Sequence, residues 1–261
     1  MGGTGVKAAV VDLGSAELVS ARVREKTPQP STPEAVLVTI ASVVESVLAE
    51  RSATELASPA DLLVGCGLPG VIKAGTMLTA ANLDKGWVGF PAEARIGEAL
   101  GRPVRVINDA DAAGLAELAF GAARDMPGTV ILLTVGTGIG SALINDGRLV
   151  PNSELGHLEM RRKGAETLVS GAARTRRGLG WKAWAREFSQ YLAMVDFLFS
   201  PDRIILGGGV SKDFGRFEKH LSGVKAEIVL ARFLNTSGII GAAYAAALNP
   251  PSAAPPAADR G

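Results

Sequence analysis

Apolar positions along the chain fall in short blocks separated by turn residues, and the spacing within the blocks switches repeatedly between strand and helix periods. Residues 6–11 and 18–23 read as strands on either side of Asp12-Leu13-Gly14-Ser15, which predicts a hairpin. Thr27-Pro28-Gln29-Pro30 is a rigid connector. Thr32 followed by Pro33 is a helix start, and Val36, Ile40, Val43, Val44, Val47 and Leu48 form one apolar stripe behind it. A short strand at 62–64 ends in Gly65-Cys66-Gly67-Leu68-Pro69-Gly70, where glycine and proline predict a sharply shaped loop. A helix is predicted over 92–100, a strand over 104–107 ending at Asn108-Asp109, and a helix over 110–119. The strand 130–135 leads through Gly136-Thr137-Gly138-Ile139-Gly140 to a partner at 141–144, and Asn145-Asp146-Gly147 turns the chain again. Residues 161–180 are polar and aperiodic, and predict irregular structure. Residues 181–199 carry Trp184, Phe188, Tyr191, Leu192, Val195, Leu198 and Phe199 on or near one helical face. Short strands at 204–206 and 228–230 follow, the first ending at Gly207-Gly208-Gly209. A small-residue helix over about 239–248 comes last.

Alternating strands and helices put the chain in the α/β class. Two hairpin-then-helix blocks, one from residue 6 and one from residue 130, suggest a duplicated architecture with a cleft between its halves. Gly121 and Pro127-Gly128 interrupt the pattern, so domains over 1–120 and 121–249 are expected, with the helix at about 238–249 packing back on the first. The proline- and alanine-rich tail at 250–261 has no means of forming a core and is expected to be disordered.

Composition narrows this picture. With 261 residues, 47% of them hydrophobic, the chain can bury the cores of two modest domains. A net charge of +1 implies no bulk attraction to nucleic acid or membrane. The single cysteine, Cys66, excludes an intrachain disulfide and a multi-cysteine zinc site. Apolar runs are interrupted too early for a membrane-spanning helix. The opening MGGTGVK lacks a basic segment followed by an apolar core, so no signal peptide is expected and the location expected is cytoplasmic.

The chemistry lies in four places. Gly2-Gly3-Thr4-Gly5, Gly136 to Gly140 and Gly207-Gly208-Gly209 each adjoin an apolar strand. Such loops are either plain turns or places where backbone N–H groups hold a phosphate. The nucleoside-triphosphatase loop spacing is absent, as is the dinucleotide fingerprint after the first strand. Asn108-Asp109 ends a buried strand. Asp109 can cap the next helix or act as a base toward a hydroxyl, with Asn108 bonding a polyol. Asn152, Glu154, His157 and Glu159 crowd into PNSELGHLE, either as a solvated loop or as a polar site. Between Arg161 and Arg186 lie eight basic residues, including Arg174, Arg176 and Arg177, against one acid, Glu166. That span is a solvated surface or a track for a long polyanion.

Taken together, GGTGVK at 2–7, TPQPSTPEAV at 27–36, GLPGVI at 67–72, AANLDKGW at 80–87, INDADAAGLAE at 107–117, LTVGTGIGSALINDG at 133–147, PNSELGHLE at 151–159, LFSPDRIILGGGVSK at 198–212 and NTSGIIGAA at 235–243 resemble the ROK sugar kinases, and within them the polyphosphate-using glucokinases. The resemblance covers the chain up to its tail. It implies an actin-like, ribonuclease-H-like two-domain fold with a sugar in the interdomain cleft. It implies phosphoryl transfer from polyphosphate or ATP, with Mg2+, to the 6-hydroxyl of glucose. Asp109 is then the catalytic base. Asn82, Asn108, Glu154, His157 and Glu159 match sugar-binding positions. Gly2, Gly3, Thr4, Gly5 and Lys7, together with Thr134, Gly136, Thr137, Gly138 and Gly140, match phosphate loops, and Gly207, Gly208 and Gly209 match the adenosine-side loop. An ATP-only glucokinase, a glucomannokinase accepting mannose and a non-catalytic sugar-binding regulator are the alternatives, and a homodimer is a family expectation. Many relatives hold zinc through the motif histidine and a following cysteine cluster; no cysteine follows His157, so no zinc is expected. The family also carries a strand ending in aspartate just before the first glycine loop. Met1 stands at the residue between them, so that strand and aspartate are missing from this sequence, and an upstream extension would be expected to supply them.

Overall fold

The computed structural model describes residues 1–2, 4–50, 61–81 and 83–251. The chain divides into two compact units, Met1–Ala112 together with Gly238–Gly261, and Ala113–Ser237.

In the first unit, β1 (Val6–Ala8) pairs antiparallel with β4 (Val23–Glu25), and the short strands β2 (Val11–Asp12) and β3 (Glu17–Leu18) pair between them. The predicted hairpin is therefore present but broken into two ladders. Helix α1 (Pro33–Leu48) begins where Thr32 Oγ1 accepts from the Ala35 N–H, with proline at the first position, whose missing N–H would have had no helical partner. Its stripe buries Val36, Ile40, Val43 and Val47. These pack with Trp87, Met77, Leu68 and with Ile96 of α2 (Ala92–Leu100) in one core. The indole N–H of buried Trp87 donates to the Ser31 carbonyl at 2.9 Å.

Strand β5 (Val64–Leu68) departs from the expected loop, because Gly65, Cys66 and Gly67 are strand residues. It pairs in parallel with β8 (Val104–Asn108), and a small hairpin, β6 (Ile72–Lys73) with β7 (Thr76–Met77), lies between them in sequence. Gly65 serves close approach, not turning. A Cβ on Gly65 would overlap the Ala242 carbonyl of the last helix. Helix α3 (Asp109–Phe120) follows β8 directly, and the division between the units falls within it.

The second unit is built on a five-stranded sheet. Strands β9 (Thr129–Val135), β10 (Ile139–Asn145) and β11 (Arg148–Val150) form an antiparallel meander. After it come a minor pair, β12 (Glu159–Met160) with β13 (Lys163–Gly164), and the helices α4 (Glu166–Val169), α5 (Gly171–Arg176) and α6 (Trp181–Phe199). β14 (Arg203–Gly207) then joins β9 in parallel, and β15 (Glu227–Leu230) adds beyond it. The apolar run of β9 is explained by burial on both faces. Ile131, Leu133 and Val135 face Trp184, Phe188, Leu192 and Val195 of α6, while Val130 and Leu132 pack with Ala113, Ala142 and Ile144. The segment expected to be irregular holds α4 and α5, the second capped by Ser170 Oγ, which accepts from the Ala173 N–H at 3.1 Å. Helix α7 (Ser237–Leu248) is rich in alanine and glycine, and from Gly238 onward it belongs to the first unit, where Gly241 lies against the Ala112 carbonyl. No helix among the described residues is long and apolar enough to cross a membrane.

Candidate functional site

In the first unit, the β8–α3 junction is fastened by Asn108. Asn108 caps the helix: its buried Oδ1 accepts from the Ala110 and Asp111 N–H groups at 2.8 and 3.0 Å. Its Nδ2 donates to the Gly70 carbonyl at 3.0 Å. One Nδ2 hydrogen is what remains of this side chain for a ligand. Asp109 is the half-buried first residue of α3. Gly67 lies beneath it, with 3.5 Å between a Cβ built there and the Asp109 Cα. The first glycine loop is a closed turn. Gly2 and Gly5 exchange backbone bonds at 3.1 and 3.2 Å, and Thr27 Oγ1 donates to the Gly2 carbonyl at 2.7 Å. Thr4 is exposed on the turn and Lys7 is exposed on β1. Gly3 and Asn82 lie outside the described residues.

In the second unit, Ser141 Oγ donates to the Ser153 carbonyl and accepts from the Leu155 N–H, which pins the chain around Glu154 to β10. Gly156 must be glycine because a Cβ would overlap the Ile139 carbonyl. The resulting tight turn sets His157 Nε2 3.6 Å from Glu154 Oε2 and His157 Nδ1 3.9 Å from Glu166 Oε1. Glu166 Oε2 also accepts from the Ile139 N–H at 3.2 Å, which seats it against the loop 136–140. Burial raises the pKa of Glu154; the nearby His157 pulls it back and the Glu166 charge raises it further. Tyr191, buried in α6, is pushed up by burial and then by Glu166, and its hydroxyl meets no partner among the described residues.

Glu159 stands outside this group. Strand alternation on β12 exposes it and buries Met160. Glu166 takes the place beside His157 instead. The sequence signal for it was that it is the lone acid in a basic span.

The loop at 136–138 is the hairpin between β9 and β10, with Thr134 and Gly140 facing each other in the ladder. The Gly136 N–H bonds the Gly138 carbonyl, while among the described residues no hydrogen bond takes the Thr137 or Gly138 N–H. Those two donors are available to an anion. Gly207 ends β14, and Gly208 turns the chain with φ of 78°. A Cβ on Gly208 would come 2.5 Å from the Val135 carbonyl oxygen, so no other residue fits there. The two loops share a cavity of about 330 Å³, lined by Gly136, Thr137, Arg174, Trp181, Gly209 and Asp213 among others.

The three arginines of the expected track are placed differently from one another. Arg174 lines the cavity, with its guanidinium 3.9 Å over the Trp181 ring. Arg176 donates to the Thr167 carbonyl. Arg177 donates to the Leu168 carbonyl and makes a two-pronged pair with Glu187 at 2.7 and 3.0 Å. That pair holds the Glu187 carboxyl below the usual carboxylate range and raises Arg177 further.

Comparison with known proteins gives the chain a family. The ROK family model matches residues 1–173. A polyphosphate glucokinase of Mycobacterium tuberculosis (strain CDC 1551 / Oshkosh) is 41% identical over 246 residues, which span 94% of this chain and 88% of that protein. The crystal structure of an inorganic polyphosphate/ATP-glucomannokinase from Arthrobacter sp. strain KM superposes with a TM-score of 0.90 at 47% identity, covering 95% and 96% of the two chains. A ROK family glucokinase from Streptomyces griseus, solved with glucose and AMPPNP, gives 0.75 at 26% identity and 94% and 96% coverage. The α/β fold is thus that of the actin-like sugar kinases, and the chain belongs to the ROK family.

Proposed function

We propose that this protein transfers a phosphoryl group from inorganic polyphosphate or ATP to the 6-hydroxyl of glucose. One observation carries the reading from the side of the structure: Glu166 bonds the N–H of Ile139 in the glycine loop and stands beside His157. Side chains suited to sugar hydroxyls are thereby fastened to a loop suited to phosphate. The names of the relatives support the same reaction.

The residues take roles by their chemistry. Glu154 and His157 bind sugar hydroxyls, the carboxylate accepting and the imidazole accepting or donating. Asn108 gives its remaining amide hydrogen. Asp109 accepts the 6-hydroxyl proton as that oxygen bonds the terminal phosphorus and the bridging P–O bond breaks. The products are glucose 6-phosphate and either a polyphosphate one unit shorter or ADP. The Thr137 and Gly138 N–H groups hold donor phosphate oxygens. No group of three His, Cys, Asp or Glu among the described residues is set to hold a metal ion. A Mg2+ ion would enter on the donor phosphates. When bound, the ion would neutralise donor charge. Mannose, which differs from glucose at the 2-hydroxyl, is the second acceptor proposed.

The test is a steady-state assay of glucose and mannose with each donor, run on the native protein and on Asp109→Asn. The variant is expected to bind glucose by calorimetry with near-native affinity while turnover falls at least about 100-fold, the usual contribution of a general base. A variant retaining more than a tenth of the rate would remove Asp109 from that role.

A further inference from the structure

The donor cavity has one aromatic residue in its lining, Trp181, and that ring is already engaged. Phe217, itself 1% exposed, stacks on it with centroids 5.5 Å apart and planes 17° apart, and Trp184 meets it edge-on at 5.6 Å. The Arg174 guanidinium lies 3.9 Å over the ring. The guanidinium is held by the Leu179 carbonyl at 3.0 Å, which takes one of its several N–H donors and leaves the others for a ligand. A second guanidinium, Arg216, lies 5.4 Å from the same ring. It is 66% exposed and pairs with Asp213 at 3.2 Å, so the one carboxylate lining the cavity is offset by a cation.

These positions differ in what they offer two kinds of donor. A nucleoside triphosphate ends in a base, which gains most from an open aromatic face. A linear polyphosphate continues as one charge after another. Over Trp181 the cavity presents charge where a base would need a ring. Resting on the donor reading of this cavity given above, we infer that Arg174, seated on Trp181, is the residue that selects polyphosphate over ATP, holding inner phosphates of the chain, with Arg216 next along the path. Arg176 and Arg177 are not part of that path, since their guanidiniums serve the Thr167 and Leu168 carbonyls and Glu187.

The experiment compares Arg174→Met, which keeps an unbranched side chain over the ring and removes the charge, with Arg174→Lys and Arg216→Gln. Each is assayed on glucose with long-chain polyphosphate, tripolyphosphate and ATP at low and moderate salt, alongside a melting curve. For Arg174→Met, kcat/KM with long-chain polyphosphate is expected to fall about ten- to hundredfold, the range for a charge-assisted hydrogen bond. ATP should change less than about threefold and the salt dependence of the polyphosphate KM should flatten. Lysine should restore part of the loss, since it keeps the charge without the planar fork. Arg216→Gln, at an exposed position that folding does not need, should weaken long-chain polyphosphate and spare tripolyphosphate and ATP. Equal losses for both donors in Arg174→Met, or none, would overturn the inference while leaving the kinase reading intact. A native protein that phosphorylates glucose with neither donor would instead overturn the kinase reading. Should Arg174→Met fail to fold, Arg174→Lys and Arg216→Gln decide the matter by the same donor ratio.

Discussion

Glu166 joins two functions in one side chain, and two substitutions separate them. Its Oε2 accepts the N–H of Ile139, a residue that is 4% exposed, at 3.2 Å. Its Oε1 lies 3.9 Å from His157 Nδ1, an ion-pair distance and too long for a hydrogen bond. Glu166→Ala leaves the buried N–H without an acceptor, a loss of about 1–3 kcal/mol. For a chain of this size that lowers the melting midpoint by roughly 2–10 °C. Glu166→Gln keeps an acceptor and removes the charge beside His157. His157 is 54% exposed, so solvent screens the pair and its loss is worth at most about 1 kcal/mol. The glutamine variant should therefore melt within about 2 °C of the native protein while the KM for glucose rises roughly three- to fivefold, the equivalent of that energy. The alanine variant should lose on both counts. Scanning calorimetry and a glucose titration at saturating donor give both readouts. An alanine variant with native melting would show that the Ile139 bond carries no weight. A glutamine variant with a native KM would remove Glu166 from sugar positioning.

Two further outcomes follow from the geometry. Burial raises the Glu154 pKa, so in the fold its protonated form is favoured; the stability it contributes is complete below the ordinary carboxylate range and is lost as pH rises through the raised value. Hydroxyl binding needs the carboxylate, so calorimetric glucose affinity should climb with pH across a window above the ordinary range, and Glu154→Gln should flatten that climb; a native curve that is already flat from about pH 4 upward would refute it. In α7, Gly241→Ala drives a methyl into the Ala112 backbone carbonyl and should cost about 3 kcal/mol or more in urea unfolding, whereas Gly238→Ala meets nothing within 4 Å and should be neutral or stabilising by up to about 1 kcal/mol. Equal effects from the two would mean that helix propensity, not close approach, governs the segment.

The parts of the fold legible in the sequence are those whose physics is local. Helix α6 reads correctly at both ends because its apolar spacing runs unbroken from Trp181 to Phe199. Helix α1 reads because Thr32 and Pro33 announce it. Helices α4 and α5, of four and six residues, are too short to show a stripe, so a capped helix after Ser170 passes for irregular chain. Gly65 and Gly67 carry the sequence signature of a loop but lie in β5, and at Gly65 the demand for a missing side chain comes from α7, far away in sequence. Nothing in the five residues around Gly65 encodes the arrival of the Ala242 carbonyl. Asn108 and Asp109 show the same limit at closer range. Either residue can cap a helix, and which one does depends on where β8 stops.

The basic span between Arg161 and Arg186 shows why a count of charges does not describe a field. Eight cations against one anion suggest a polyanion track, but Glu187 stands one residue beyond the count and neutralises Arg177. Arg161 also lies 3.7 Å from the same carboxylate and donates to the Gln190 amide oxygen. Arg176 is spent on the Thr167 carbonyl of α4. Those three arginines answer structural needs: Arg176 and Arg177 bond carbonyls of α4, and Arg161 and Arg177 tie their segments to α6. Arg174 is the member of the set whose guanidinium borders the cavity, and Arg216, thirty residues beyond the span, is nearer to Trp181 than the counting could suggest. The attraction felt by an anion in the cavity is therefore set by the Arg174 and Arg216 guanidiniums on the Trp181 ring, reduced by the Asp213 carboxylate that pairs with Arg216. Removing the paired cations should cost stability, and removing those two should cost donor binding.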